Sequence, residues 1–322
     1  MKDHFGRTIE YLRLAITEAC NFRCVYCAPE GHARLSASPL TLPEIEQLVR
    51  AAVSLGIDKI RLTGGEPLVR REVVDIVRTI AALGVQDLAL TTNGMRLAEL
   101  ARPLAEAGLR RVNISLDTLQ RERFARIVCQ DAFDRVWQGI LAAEAAGLVP
   151  LKLNVVALRG VNDDELEAFA QLTREHPWHV RFIELMPVGT SDRARQLFQE
   201  HFIAAHELRA RLAELEPISG PTGNGPARTY RLPNAQGTIG FITPASEHFC
   251  ATCNRIRVTS QGVVHPCLFG GEELNLRPLL HDAQAERAVR EALRSRIAAK
   301  PERHPLGAQF TLLEQAMSQI GG

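Results

Sequence analysis

The chain has 322 residues, 46% hydrophobic and 23% charged, proportions that exclude a disordered or low-complexity protein. Its 38 basic residues against 37 acidic ones leave a net charge of +1, so no overall field recommends it for nucleic acid or an anionic membrane surface. Any anion it binds must be held by a local cluster of Arg or Lys, and seven cysteines in so long a chain do not make a disulfide scaffold.

The first twenty residues are too charged for a signal peptide, and no apolar run approaches the roughly 18 residues of a membrane span. A cytoplasmic protein is therefore expected. From residue 11 to about 186, short β-like runs alternate with longer helical stretches. The strand-like runs cover 12–16, 57–63, 87–92, 110–116, 151–158 and 179–185. Apolar residues recur at helical spacing over 42–56, 71–84, 97–108, 134–147 and 163–176, and several of these stretches end in Gly, as helices do just past their C-termini. Such alternation means a parallel sheet with right-handed crossovers. Six βα units are present, two short of a closed eight-fold barrel. The predicted fold class is α/β, a partial (β/α)6 TIM-like barrel, with a flat doubly wound sheet as the alternative.

After Met186 the pattern changes. Residues 216–227 are rich in Gly and Pro and read as a loop. The runs 229–233, 237–243, 255–260 and 262–269 read as hairpins. A charged helical stretch covers about 282–299, and the chain ends Ile-Gly-Gly. The expected division is a barrel core over 1–215 and a C-terminal region over 216–322.

Six of the cysteines fall in two triplets. Cys20, Cys24 and Cys27 form C-x3-C-x2-C just after the first strand, at the end of a parallel barrel where active sites are built. Three thiolates on one loop can hold three irons of a [4Fe–4S] cluster and leave the fourth open. The alternative is a closed four-ligand zinc site, with His32 as the fourth ligand. Cys250, Cys253 and Cys267 form C-x2-C-x13-C. Again three thiolates suit a four-iron cluster with one open iron, or zinc with His265 or His248 added. Between them Arg255 and Arg257 share one face of a strand and can bind phosphate oxygens bidentately. Arg13, Arg61, Lys152 and Arg181 also sit within predicted strands. An unpaired charge pointing into a barrel is expensive, and a polyanion inside it would explain all four. Cys129 belongs to neither triplet and reads as a small buried or surface thiol.

The first triplet, with Tyr26 before its last cysteine and Gly64-Gly65-Glu66-Pro67 after the second strand, resembles the radical S-adenosylmethionine (SAM) superfamily. Thr91-Thr92-Asn93-Gly94 and Ser115-Leu116-Asp117 extend the likeness. With the segment FCATCNRIRVTSQG (249–262) and the terminal Gly-Gly, the chain from about residue 6 to 322 resembles the GTP 3′,8-cyclase family of molybdenum cofactor biosynthesis. Ala15 and Ala28 stand where that family often carries Ser and Met.

The resemblance implies two [4Fe–4S] clusters, one on Cys20, Cys24 and Cys27 that serves SAM, and an auxiliary one on Cys250, Cys253 and Cys267. It implies SAM contacts from Tyr26, Gly65, Ser115 and Met186. GTP contacts would come from Arg13, Arg61, Thr91, Lys152, Arg181, Arg255 and Arg257, with Arg255, Arg257, Gly321 and Gly322 supporting catalysis. The implied reaction uses a 5′-deoxyadenosyl radical to turn GTP into 3′,8-cyclo-7,8-dihydro-GTP. Its implied partners are a flavodoxin- or ferredoxin-like reductant and cyclic pyranopterin monophosphate synthase downstream, with a homodimer compatible and neither nucleic acid nor membrane involved. Besides a purely structural metalloprotein, which would leave Gly64-Gly65-Glu66-Pro67 and the charged strand positions unexplained, two other readings stay open. One is a peptide-modifying radical SAM maturase, which usually carries more C-terminal cysteines. The other is a zinc-binding nucleic-acid module, against which the neutral charge counts.

Overall fold

In most of the predicted strands apolar residues largely alternate with polar ones, so these strands must present two chemically different faces. The computed structural model describes residues 1–27, 38–187, 189, 191–218, 225–282, 284–304 and 317. Its first half runs β1 (Tyr11–Ala15), α1 (Leu42–Ser54), β2 (Lys59–Thr63), α2 (Val73–Ala82), β3 (Asp87–Thr92), α3 (Leu97–Glu106), β4 (Arg111–Ser115), α4 (Arg121–Val128) and α5 (Phe133–Ala145). It continues through β5 (Lys152–Ala157), α6 (Leu166–Glu175), β6 (His179–Glu184), α7 (Asp192–His201) and α8 (Ala205–Arg211). The six predicted strands are all present. Helices α4, α7 and α8 were not anticipated, and α6 begins at Leu166 rather than at 163.

Strands β1 to β6 pair in parallel and in sequence order. A doubly wound sheet would reverse its strand order at a switch point. Here the order never reverses, so crossovers of one hand put the helices on one face and the sheet curls. The partial barrel is the fold, and the flat sheet is excluded.

The C-terminal region departs from the simple hairpin expectation. It contains β7 (Glu216–Pro217), β8 (Arg228–Arg231), β9 (Thr238–Ile242), β10 (Arg255–Val258), β11 (Val263–His265), β12 (Leu274–Asn275) and α9 (Ala285–Ala298). The pairs β8–β9 and β10–β11 are antiparallel as expected. However, β9 also pairs in parallel with β6, and β10 with β1. Both edges of the barrel are thereby lengthened by one parallel strand. Residues 216–217, expected in a loop, instead pair with β8.

The outward faces make the core. Leu12, Leu14, Ile60, Leu62, Leu88, Leu90, Val112, Ile114, Leu153, Val155, Val180 and Phe182 are each at most 2% exposed beneath the helices. Helix α1 starts with a capping box in which Thr41 accepts from the Glu44 backbone N–H and Glu44 accepts from that of Thr41. Glu44 also receives Arg277 Nε at 3.0 Å, which ties the C-terminal region to the barrel where α9 packs on α1. Among the described residues no helix is long and apolar enough to cross a membrane.

Leu153→Ala on the outer face of β5 should cost about 2–5 kcal/mol. A lowered urea midpoint at unchanged m-value would show it, and an unchanged midpoint would contradict the assignment of that face to the core.

Candidate active site

The inward faces of the same strands line one cavity of about 390 Å3. Aliphatic side chains ordinarily fill a barrel of this kind. Here the wall instead carries Tyr11 and Arg13 from β1, Lys59 and Arg61 from β2, and Thr91 from β3. Arg111, Asn113 and Ser115 come from β4, Lys152 and Asn154 from β5, His179 and Arg181 from β6, and Arg255 and Arg257 from β10. Register brings them into layers. Arg257, Arg13 and Arg61 lie side by side across β10, β1 and β2, on strands about 4.8 Å apart. Arg255, Tyr11 and Lys59 form the next layer. On the far side Thr91, Asn113, Lys152 and His179 are in line.

Two of these cations have carboxylate partners, Lys59 with Glu10 at 2.7 Å and Arg111 with Asp87. Arg181 donates to Asn154 Oδ1 at 2.5 Å and Arg255 hydrogen-bonds to Cys253, and the cations also act on one another. Burial, then the charges of Arg181 and Arg111, pushes Lys152 down to about 7. Burial and Arg61 bring Arg181 to about 9, and burial and Arg255 bring Arg257 to about 10. Burial and Arg257 hold Arg13 well below the usual guanidinium range, while burial and Lys152 take His179 to about 4. Burial alone would raise Tyr11, yet Arg61, Arg13 and Arg255 outweigh it and hold the phenol below its ordinary value. The Nε atoms of Arg61 and Arg181, Thr91 Oγ1 and Asn113 Oδ1 are buried with no hydrogen-bond partner. Unsatisfied buried polar atoms beside self-repelling cations are costly unless a ligand completes them. A polyanion has the charge to do so.

Cys20, Cys24 and Cys27 line the same cavity, none of them in a disulfide. Their loop lies under the glycines that follow β2. The Gly65 N–H donates to Thr17 O at 2.8 Å and the Glu66 N–H to Ala19 O at 2.8 Å. A Cβ at Gly64, whose φ is +146°, would meet Thr17 O at 2.2 Å, and one at Gly65 would meet Ala19 O at 2.4 Å. Only glycine permits that approach. Glu66 then braces the next loop by accepting from Leu68 N at 2.9 Å, Thr92 Oγ1 at 2.7 Å and Asn93 N at 2.6 Å. Burial nevertheless raises Glu66 to about 7. Tyr26 donates its hydroxyl to Asp117 Oδ2 at 2.6 Å, and Asp117 Oδ1 accepts from Val156 N at 2.9 Å, so the ring's position is set from β5. Burial, and next Cys27, raises Cys24 well above the ordinary thiol range.

Cys250 opens and Cys253 caps a one-turn 3-10 helix (Cys250–Thr252) before β10, and Cys267 follows β11. All three are free thiols on the cavity wall. Burial would raise Cys253, but Arg255 and Lys300 draw it down to about 7, toward the thiolate that binds metal. Arg255 also lies over the Phe249 ring, 5.0 Å from its centre. Among the described residues no three His, Cys, Asp or Glu side chains converge around a single ion. Of the histidines weighed for zinc, His265 has Nδ1 3.1 Å from Glu273 Oε1, His248 packs edge-on against His304, and neither lines the cavity. Each triplet offers three thiols near enough to influence one another's charge, a donor set that suits a four-iron cluster with one open iron.

Every site residue expected from the sequence and described here lies on this one wall: the six cysteines, Tyr26, Gly65, Ser115, Met186, Thr91, Arg13, Arg61, Lys152, Arg181, Arg255 and Arg257. Gly321, Gly322, His32 and Ala28 lie outside the described residues. Cys129 stands apart, exposed in a left-handed turn at the end of α4. Tyr11, Lys59, Asn113, Asn154 and His179 went unremarked in the sequence. The signal was there, since each sits two residues from a singled-out position on its own strand or opposite one on the next.

The sequence signature of the Radical SAM superfamily matches residues 14–173, and that of Molybdenum Cofactor Synthesis C matches residues 178–306. The chain is 46% identical to the GTP 3′,8-cyclases of Pelotomaculum thermopropionicum and Moorella thermoacetica, with both chains of each pair fully covered. It is 45% identical to that of Geobacter sulfurreducens over 99% of each chain. Among solved structures it resembles Streptococcus suis SuiB bound to S-adenosylmethionine, with TM-score 0.57, 14% identity, 97% of this chain and 76% of that one covered. It also resembles HydG, a maturase of the [FeFe]-hydrogenase, with TM-score 0.52, 16% identity, 64% of this chain and 48% of that one covered. At such identities these two likenesses concern the fold alone.

The depressed Lys152 has a signed consequence. Below about pH 7 both folded and unfolded chains carry its proton, and the folded state bears the full penalty. As pH rises from there toward roughly 10, the folded state releases the proton first and the penalty fades. Ligand-free protein should therefore gain a stability contribution from this group over that window. Lys152→Met should raise the Tm at pH 7 and flatten the dependence, as followed by scanning calorimetry. A lower Tm with the dependence intact would contradict the buried-charge reading.

Proposed function

This chain is a member of the GTP 3′,8-cyclase family of radical SAM enzymes, and from that premise we propose that its barrel binds GTP and SAM together and forms 3′,8-cyclo-7,8-dihydro-GTP. The observation that carries the reading is a wall of buried, mutually repelling cations in a cavity lined by both cysteine triplets. A nucleoside triphosphate answers it, because several negative charges in a water-poor cavity reverse the repulsion. A nucleic-acid module would need its cations on an exposed stripe, whereas these point inward. A peptide substrate would bring no matching row of negative charge to the three abreast guanidiniums of Arg13, Arg61 and Arg257.

In this reading Cys20, Cys24 and Cys27 hold the SAM cluster, and Cys250, Cys253 and Cys267 hold the auxiliary one. Loaded in this way, the site supplies a 5′-deoxyadenosyl radical and an open iron for the guanine. The chain's own residues do the rest. Gly65 brings its backbone against the cluster loop because no side chain intervenes, and Tyr26 is aimed by Asp117. Ser115 and Met186 complete the SAM side. Thr91, with its unpartnered hydroxyl, faces the substrate. Arg13, Arg61, Lys152 and Arg181 hold the phosphates. Arg255 and Arg257 orient the nucleotide beside the auxiliary triplet, and Gly321-Gly322 support the reaction. Holding both reactants in one enclosed space converts a bimolecular hydrogen abstraction into an intramolecular one and keeps water from the reactive species.

The proposal extends to a flavodoxin- or ferredoxin-like electron donor, a cytoplasmic setting, a homodimer and delivery of product to cyclic pyranopterin monophosphate synthase. It divides the labour between a core over 1–215 and an auxiliary-cluster region over 216–322. The support for these is the family membership.

The test is anaerobic incubation with GTP, SAM and dithionite, followed by mass spectrometry. Cyclised nucleotide and 5′-deoxyadenosine should appear together and depend on GTP; absence of 5′-deoxyadenosine would refute the radical class. Arg257→Ala should weaken GTP binding about ten- to a hundred-fold, the loss of charged hydrogen bonds, with iron unchanged at about eight per chain. Iron lost from that variant would make the arginine structural instead.

A further inference from the structure

Arg7 is far from every motif in sequence and has no place in the scheme above. Its side chain is 6% exposed and its partner Asp3 is fully buried. All five of its N–H donors are directed at acceptors. Nε reaches Asp3 Oδ2 at 2.6 Å. One terminal nitrogen reaches Cys250 O at 2.9 Å and Glu302 O at 3.0 Å, and the other reaches Pro301 O at 2.7 Å and Lys300 O at 3.5 Å. Four of those acceptors are main-chain carbonyls from two segments roughly fifty residues apart.

Lys300 completes the arrangement. It is 4% exposed, and its Nζ donates to Pro266 O at 2.5 Å, the carbonyl just before Cys267. The His304 backbone N–H also donates to the Cys250 thiol. Segment 300–304 is thus held by Arg7 on one side and bonds to both halves of the second triplet on the other. A buried ion pair is worth little by itself and is destabilising unless its remaining donors are satisfied. Here every donor is satisfied by the chain that carries the cysteines.

We propose that Arg7 is a positioning residue for the auxiliary cluster: with Lys300 it clasps the Cys250–Cys253 turn to the strand end bearing Cys267. The inference rests on the assignment of that triplet to a cluster, and the question it answers is what brings thiols from two separate segments to one stretch of the wall. Cys250 and Cys253 lie before β10 and Cys267 beyond β11, so the hairpin alone leaves the turn's approach undetermined. The clasp fixes it from a third segment. Lysine cannot replace Arg7, because a single ammonium offers three donors from one point where five in a planar fork are used.

Hydrogen–deuterium exchange on the full chain tests the clasp whether or not the second cluster exists. In Arg7→Lys, and separately in Lys300→Met, peptides spanning 248–254 and 300–304 should exchange about ten-fold faster, as expected for lost charge-assisted hydrogen bonds that open locally. Peptides spanning 18–27 should be unchanged. Iron should fall from about eight to about four per chain, with the electron paramagnetic resonance signal of the SAM-bound first cluster retained. Unchanged exchange at 248–254 overturns the clasp, as does acceleration throughout the chain, which would make Arg7 a general stability residue. Local acceleration with full iron overturns its role toward the cluster. Wild-type protein with only four irons would count against the auxiliary cluster itself, while the exchange comparison would still decide the clasp.

Discussion

Like charges gathered in a low-dielectric space repel strongly, and the interior of this barrel is built around that repulsion. A closed TIM barrel fills its interior with aliphatic layers. This one largely reverses the pattern: from β1 to β6 most aliphatic residues face the helices, and the lumen receives arginine, lysine, asparagine and threonine, with Val156 and Ile183 among them. The outer layer supplies the burial that offsets the cost. Twelve strand residues at most 2% exposed anchor the same backbone whose alternate positions hold the cations. Shifting one strand by a residue would move every cation into the apolar layer, so register is enforced from both faces.

The two cysteine triplets are positioned by different means. The first sits on a loop pressed against Gly64 and Gly65, with Glu66 and Asp117 bracing the neighbouring loops from buried positions. These carboxylates hold the frame, and their raised values record how far they are from water. The second triplet comes from the region that also supplies β9 and β10. Those strands extend the sheet at its two edges, which explains how Arg255 and Arg257 come to stand in register with Tyr11 and Arg13. The C-terminal region is a continuation of the wall rather than a lid placed on it.

Much of this is legible in the sequence. Alternation and helix-ending glycines located the six barrel strands, because local period alone encodes them. The cysteine spacings located both triplets, and every described residue singled out for the site lies on one wall. What escaped was long-range or weakly patterned. The parallel pairing of Leu12 with Ile256 joins residues that no local period connects, so β10 read only as half of a hairpin. Helix α4 buries just Phe124, Ile127 and Val128, too few turns to stand out, and α7 is mostly charged. Tyr11 and Lys59 sit at strand starts that sequence reasoning trimmed or passed over. The five acceptors of Arg7 are carbonyl oxygens and one carboxylate, and carbonyls leave no trace in a sequence.

The central claim is that the buried cations exist to hold phosphates. Equilibrium binding of GTP, GDP, GMP and guanosine to the anaerobic protein tests it most directly. Affinity should fall at each step, by about ten-fold or more per phosphate removed, the scale of a lost charged hydrogen-bond pair. Guanosine binding as tightly as GTP would contradict the account.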